Sequence, residues 1–597
     1  MQRRSTSASP TRQSMSGGSF GGSGSFAQRA SFAMMRRFSS AGVSGNFKQG
    51  TIMGVVLNTL CNVMGAGILS LPLAMHNASI VVGSILLLAS AIVSSFATYM
   101  VACGCDATGK ESFSEVLAFS LWPEKEYDGR HTGNASADDL EAEVDEQRCR
   151  AEHASEEARK KRLRRYVLVI VELIVFLNNF GALIIYSRVI ADSIPPVISN
   201  FLGGDGIWTD KMTWFIISGA LFFPLTCVRS MEELKWTSLL GFITILYVVL
   251  LVIVRFFTFG SEGRAPSSEV HFTQVSSDVL KSVSAYGVAW GYHYNVPYFY
   301  KELRDGTPKV MMQSVVVAFP IILTSYASVG ILGYIMFGNA ITEHGGDVIN
   351  NFADDDTAAN VGRLGLFFHF ACVFPVLSVC ARRGLHRLFM VGLQELAGSG
   401  IMTQIRRLKG AILTERDPLL PNDLSSASMQ IRNDGHHPDQ ESPQPDADEA
   451  GGENLDETLH ELQRELDDED PGRPEDTTRF AIIVEAAVIV ASSVFLAIVV
   501  SGIDFVIDII GTLFGITLMT SFPGIIGMCT FVSDIGQTVT PAYGTTPNGK
   551  KFSYFTSHEG ASTFQQVSPM MAIVSRVMIG VGVLLVVSGI VMMCINS

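Results

Sequence analysis

Apolar residues in this chain come in blocks of membrane-spanning length, and polar residues collect between them. A helix needs roughly 20 residues to cross a bilayer. Runs of that kind lie near 50–74, 80–103, 166–193, 212–228, 236–257, 282–300, 309–336, 361–381, 479–500, 503–530 and 570–595. The pattern predicts an all-α polytopic membrane protein with eleven spans. The sixth block is the least hydrophobic, so positive charge has to arbitrate whether it crosses. With the N-terminus in the cytosol, the cytosolic loops carry Arg159 to Arg165, Arg229, Lys235, Lys301, Arg304, Lys309, Arg382, Arg383 and Arg387. The loops placed outside, 194–211, 258–281 and 337–360, carry only Lys211, Arg264 and Lys281. That asymmetry is what the positive-inside rule expects. Dropping the sixth block would reverse every later loop.

The polar stretches divide the chain. Residues 1–49 are rich in Ser, Gly and Arg, contain no acidic residue and have no apolar core of a secretory signal. They read as a disordered cytosolic tail, with a mitochondrial transit peptide as the other reading. Spans 1–2 occupy 50–103, and 104–165 is a charged cytosolic loop whose end, EAEVDEQRCRAEHASEEARKKRLRR, can extend the third helix inward. Spans 3–8 fill 166–383, and 384–478 is an acidic, Pro-rich loop expected to be disordered. Spans 9–11 complete the chain over 479–597. Asn134-Ala135-Ser136 is a glycosylation sequon in a loop placed in the cytosol, so its use would disprove the topology.

Composition agrees with blocks rather than one globule: 597 residues, 48% apolar and a net charge of −14, at a mean hydropathy of +0.31. Nine cysteines are present and none lies in the three outside loops, so no disulfide framework is indicated. No Cys/His grouping has metal-ligand spacing, and no clustered His/Asp box or catalytic Ser motif appears. An enzyme, a metal site and a cofactor are therefore not expected.

Two blocks are interrupted. The first carries Gly65-Ala66-Gly67 with Pro72 a turn later, and the sixth carries Gly287, Gly291 and Pro297 among aromatic residues. Glycine weakens a helix, and an opened helix in hydrocarbon is tolerated only where its freed groups face a cavity or ligand. Close packing through small residues is the alternative reading. Interrupted helices at the first and sixth positions point to an inverted-repeat transporter with a midplane site. Freed N–H groups around Gly65–Gly67 would then suit a carboxylate, and freed carbonyls of the sixth block an ammonium.

The motifs add a resemblance. NTLCNVMGAGILSLPLAM resembles the first helix of the amino acid/auxin permease family. His293, Val296, Tyr300, Glu302 and Leu303 are similar to that family's sixth-helix motif, and Pro375 to Arg382 to its eighth, with Cys380 in place of a second Pro. Gly181, Tyr186 and Asp192 match the third helix, and Gly511, Gly515 and Pro523 the tenth. The resemblance covers nearly all the apolar blocks but neither long loop nor the tail. It implies a LeuT-like 5+5 inverted repeat plus an eleventh helix, and transport of amino acids. Taken with the interrupted helices, the candidate substrate-binding residues are Asn58, Asn62, Gly65, Ala66, Gly67, Ile68, Tyr186, Tyr286, Gly287, Trp290 and His293. Glu172, His293 and Asn62 are the coupling-ion candidates. In sodium-coupled members an Asn and a Thr help hold the ion, but ungapped alignment puts Cys61 at the first position and Ala371 or Val373 near the second. Sodium prefers oxygen ligands, which favours proton coupling or uncoupled exchange, although a one-residue slip onto Asn62, or Asn58, would restore an Asn.

Intramembrane ionisable residues are functional suspects. Glu172 reads as a proton carrier or as a paired structural carboxylate, and His293 as a titrating group or as packing. His369 reads as a core histidine, and Asp504 and Asp508 as solvated or gate-lining. Asn178 and Asn179 line the cavity or bond between helices. Glu415, Leu419 and Leu420 fit an acidic dileucine signal for sorting adaptors, favouring a vacuolar or endolysosomal membrane over the plasma membrane. Expected partners are thus an amino acid, a proton or sodium, the bilayer and such adaptors, with no nucleic acid. A nutrient sensor that keeps the transporter fold and signals through its acidic loop is the competing class.

Overall fold

The computed structural model describes residues 52–124, 140–203, 206–227, 235–260, 263–303, 306–343, 345–398, 479–500, 502–532, 539–545, 551–557 and 568–596. All eleven apolar blocks are helical. The first forms α1 (Ile52–Val63) and α2 (Leu71–Ala78), joined through a 3-10 turn over Ala66–Ser70 and bent by 49°. Next come α3 (Ile80–Thr108), the short α4 (Phe113–Leu121), α5 (Leu140–Leu202), α6 (Lys211–Thr226) and α7 (Lys235–Thr258). The sixth block splits into α8 (Val279–Ala289) and α9 (Val296–Glu302), followed by α10 (Pro308–Phe337), α11 (Thr357–Gly398) and α12 (Arg479–Val499). The tenth runs from α13 (Ile503–Ile510) through two π-helical stretches, Gly511–Gly515 and Thr517–Ser521, into α14 (Phe522–Val532), and α15 (Ser568–Asn596) closes the described chain.

Eight of these elements are long and apolar enough to cross a membrane, and the bent α1–α2 pair makes a ninth. The other two expected spans fall short of that test for physical reasons. Helix α6 has 16 residues, less than a full crossing, and the sixth block is broken into pieces of 11 and 7 residues.

The inward extension of the third span is as expected, one boundary differs and a hairpin is added. The charged stretch before the third span is one helix with it, so α5 has 63 residues and is about 95 Å long. Helix α11 continues to Gly398, into residues assigned to the acidic loop. A two-stranded antiparallel hairpin follows α14, with β1 (Val539–Thr545) paired to β2 (Lys551–Ser557) in the register Val539↔Ser557 to Thr545↔Lys551.

The outward faces are apolar, as lipid requires. On α3 the exposed residues Val81, Ile85, Leu88 and Ile92 recur at helical spacing. On α15 Ile573, Val577, Val581 and Leu584 do the same. The interior is aromatic, with Trp290, Tyr286, Tyr292, Tyr326 and Tyr334 all fully buried. Helix α11 packs on both α5 and α7, while α10 packs along α1, α2 and α3. Where α8 crosses the tenth span, glycine permits the contact: a Cβ on Gly511 would lie 2.2 Å from the Ser284 carbonyl oxygen.

Candidate functional site

Helix α1 stops where its glycines begin. Gly65 is extended, at φ −111° and ψ −152°, so the next turn starts afresh at Ala66. The first N–H groups of a new turn and the last carbonyls of an old one have no partner within the helix. Ala66 and Gly67 therefore present donors, and the end of α8 presents carbonyls whose second lone pairs remain, since the Tyr286 carbonyl accepts from the Trp290 N–H and the Val288 carbonyl from the Gly291 N–H. The two interruptions meet directly, since a Cβ on Gly67 would lie 3.0 Å from the Ala289 Cα. A positive half-helix end thus lies beside a negative one. Such a pair of ends suits a small dipolar molecule with an anionic and a cationic group.

Side chains ring this point. The Tyr186 hydroxyl lies 3.5 Å from where a Gly65 Cβ would stand, and its ring stacks on Phe370 at 4.5 Å. Asn295 Nδ2 donates to Asn62 Oδ1 at 3.0 Å, linking the two interrupted blocks. Tyr294 donates to Asn179 Oδ1 at 2.8 Å, tying the sixth block to α5. Trp290 is fully buried against Phe319 and Tyr326, and among the described residues nothing hydrogen-bonds its Nε1. A buried donor left unpaired costs about 1–3 kcal/mol, which a ligand acceptor would relieve.

The nominated residues do not all converge here. Asn62, Gly65, Ala66, Gly67, Ile68, Tyr186 and Trp290 gather at or beside the break. Asn58 lies about two turns before it and donates to Glu302 Oε2 at 3.0 Å, joining α1 to α9. Tyr286 faces α3, where its hydroxyl donates to the Gly83 carbonyl at 3.0 Å. Gly287 stays inside α8, where it lets the tenth span approach, with 2.9 Å from its carbonyl carbon to a Cβ on Gly515. The second break accordingly falls at Trp290–Tyr292, at Gly291 and not at Gly287. His293 is fully buried against α3, with Nε2 3.0 Å from Ser94 Oγ and 3.2 Å from the Ser94 carbonyl. Its Nδ1 has no partner among the described residues.

Glu172 sits elsewhere, in an ionic clasp. Ser114 Oγ donates to it at 2.6 Å and Arg387 Nη1 at 3.0 Å, with Glu115 3.5 Å from the same guanidinium. His369 is buried beside Gly241, both ring nitrogens without a hydrogen-bond partner among the described residues. Asp504 and Asp508 line a cavity of about 220 Å³ with Ser70, Leu73, Ala74 and Lys281, which reaches the end of the 3-10 turn. Asn134, Glu415, Leu419 and Leu420 lie outside the described residues. Among the described residues no group of three or more His, Cys, Asp or Glu could hold a metal ion.

Sequence reasoning missed Tyr326, Asn295 and Tyr294. A signal existed for Tyr326, because a tyrosine within the apolar run VVVAFPIILTSYASVGIL must find a partner for its hydroxyl.

A family model described as transmembrane amino acid transporter protein matches residues 48–542. Among curated proteins, the amino acid transporter AVT6E of Arabidopsis thaliana is 24% identical over 60% of this chain and 67% of its own length. Vacuolar amino acid transporter 2 of Saccharomyces cerevisiae is 22% identical over 55% of this chain and 61% of its own. Sodium-coupled neutral amino acid transporter 7 of Xenopus laevis is 23% identical over 37% and 50%. The matches span between half and two-thirds of these relatives.

Proposed function

The chain belongs to the transmembrane amino acid transporter family, the amino acid/auxin permeases, and from that premise we propose that it carries amino acids across a membrane by alternating access. The observation that carries the reading is the contact of the two breaks at Gly67 and Ala289. In this reading the Ala66 and Gly67 N–H groups take the substrate carboxylate, the carbonyls at the end of α8 take its ammonium, and Tyr186 and Trp290 shape the pocket around its side chain. The arrangement is a LeuT-like 5+5 repeat with α15 as the added helix, the short α6 and the split sixth block counting as spans. The cavity beside Lys281 and Asp508 is the approach from one face. On the other face the Asn58–Glu302 bond and the Lys301–Glu111 ion pair hold the path closed.

Coupling is to protons, or transport is sodium-independent. Cys61 offers no hard oxygen, and the Asn62 side-chain oxygen already accepts from Asn295. The working membrane is vacuolar or endolysosomal with the N-terminus in the cytosol. The positive-charge asymmetry, the dileucine pattern and the vacuolar relative support that.

The test is uptake of a radiolabelled amino acid panel into proteoliposomes under an imposed pH gradient, with and without sodium. Uptake that follows the gradient and ignores sodium is expected. An absolute sodium requirement would remove the proton reading, and no uptake of any member would remove the transporter reading.

A further inference from the structure

Tyr326 touches both breaks at once. It lies in α10, fully buried, with its ring edge-on to Trp290 at 5.4 Å. Its hydroxyl lies 2.7 Å from the Val63 carbonyl oxygen, at the end of α1, and 2.9 Å from the Ala289 carbonyl oxygen, at the end of α8. In unbroken helices those two carbonyls would accept from the N–H groups of Gly67 and His293. The breaks remove both donors, and a third helix supplies the replacement. Val63 also receives the Gly65 N–H at 2.9 Å.

A phenol has one proton and two lone pairs. It can therefore donate fully to one carbonyl at a time and still accept from a ligand. We propose that Tyr326 is a substrate-binding residue: its hydroxyl pins the two half-helix ends at the spacing the cargo needs and accepts from the cargo's ammonium while donating to the Val63 carbonyl. This rests on the transport reading above. It goes beyond it by assigning the preorganisation of the site to a helix that contributes nothing to either break. Preorganisation of this kind acts on affinity, because groups already held apart at the right distance need not be ordered during binding.

The geometry supplies a second handle. A methyl group added at Gly67 would stand 3.0 Å from the Ala289 Cα and 3.3 Å from its Cβ. The two breaks would have to part by a few tenths of an ångström, which stretches the same latch without touching the hydroxyl.

The experiment measures concentration-dependent uptake in proteoliposomes for wild type, Tyr326→Phe, Gly67→Ala and the double variant, normalised to folded protein. The probe is whichever of twenty radiolabelled amino acids the wild type takes up fastest. Expected for Tyr326→Phe is a KM at least tenfold higher with a maximal rate within about threefold, a split that a merely structural defect does not produce. Gly67→Ala should also raise KM, and the double variant should raise it by less than the product of the single effects, because both act through one spacing. Wild-type KM in Tyr326→Phe overturns the proposal. If Tyr326→Phe does not fold, unchanged KM in Gly67→Ala overturns it. Absence of uptake of all twenty by the wild type overturns the transport reading itself, a result distinct from either.

Discussion

Asp347 sits in the turn between α10 and α11, fully buried, and caps the 3-10 turn Val348–Asn351. Its Oδ1 accepts from the Ile349 N–H at 3.1 Å and its Oδ2 from Asn350 Nδ2 at 3.0 Å. Burial outweighs those bonds, and the nearby Asp192 adds to it against the opposing pull of Arg363, so the carboxyl is pushed up to about 7. The unfolded chain ionises this group near pH 4. Between those values the native state binds more protons than the unfolded one, so stability falls as pH rises from about 4 to about 7 and is flat on either side. The contribution is a few kcal/mol in total. Thermal unfolding across that window should therefore show a falling midpoint in the wild type and a shallower slope in Asp347→Asn, which keeps the acceptor for Ile349. Parallel profiles in the two proteins would show that Asp347 does not carry the dependence. Nothing in the local sequence HGGDVINN announces a buried acid. Its burial comes from Gly345 and Gly346, whose positive φ values of 62° and 80° fold the turn against Gly502 and Leu73.

The helices explain what could be read in advance and what could not. The first break was legible because Gly65 and Gly67 act through the backbone, wherever the rest of the chain lies. The second was legible in existence, and Gly291 lies in it, but which of the two glycines opens the helix was not. Gly287 looked like a breaker, yet it remains helical because the tenth span packs on it, a contact made by residues more than 200 positions away. The π-helical turns of that span left no trace in its apolar pattern, since an extra residue per turn is set by what the helix packs against. Glu172 shows the same limit at the level of an ion pair. Its position in an apolar run admitted a proton carrier, but α4 and α11 bring Ser114 and Arg387 to it, and both charged partners are largely buried. Removing one charge of such a largely buried pair should cost about 3–5 kcal/mol. The expected behaviour of Glu172→Gln is thus reduced thermal stability with pH-gradient-driven uptake kept within about threefold. Loss of gradient-driven uptake with substrate exchange intact would instead make Glu172 the proton carrier. Tyr326 stayed unread because one hydroxyl in an apolar run says only that a partner exists, and both its partners are backbone groups that become free only once two other helices have broken.

Across the whole chain, the apolar blocks and the charged stretches divide the labour. Among the described residues, those placed at the breaks lie in α1, α5, α8, α10 and α11 or the turns beside them, while 399–478 lies outside the described residues. A carrier should therefore survive loss of that acidic stretch, whereas a sensor signalling through it should not. The cut belongs after Gly398, because α11 extends that far and Arg387 within it holds the clasp on Glu172. Replacing 399–478 by a Gly/Ser linker of about 20 residues leaves a root-mean-square reach of roughly 25 Å. Shortening the loop about fourfold changes its closure entropy by only about 1 kcal/mol, in the stabilising direction. Stability is thus expected to hold, and uptake in proteoliposomes should stay within about twofold of wild type. A protein that unfolds at the wild-type temperature but no longer moves substrate would show that the acidic stretch takes part in the cycle itself. That outcome would turn the reading from a carrier with an appended loop to a device in which the loop reports on, or releases, the occupied site.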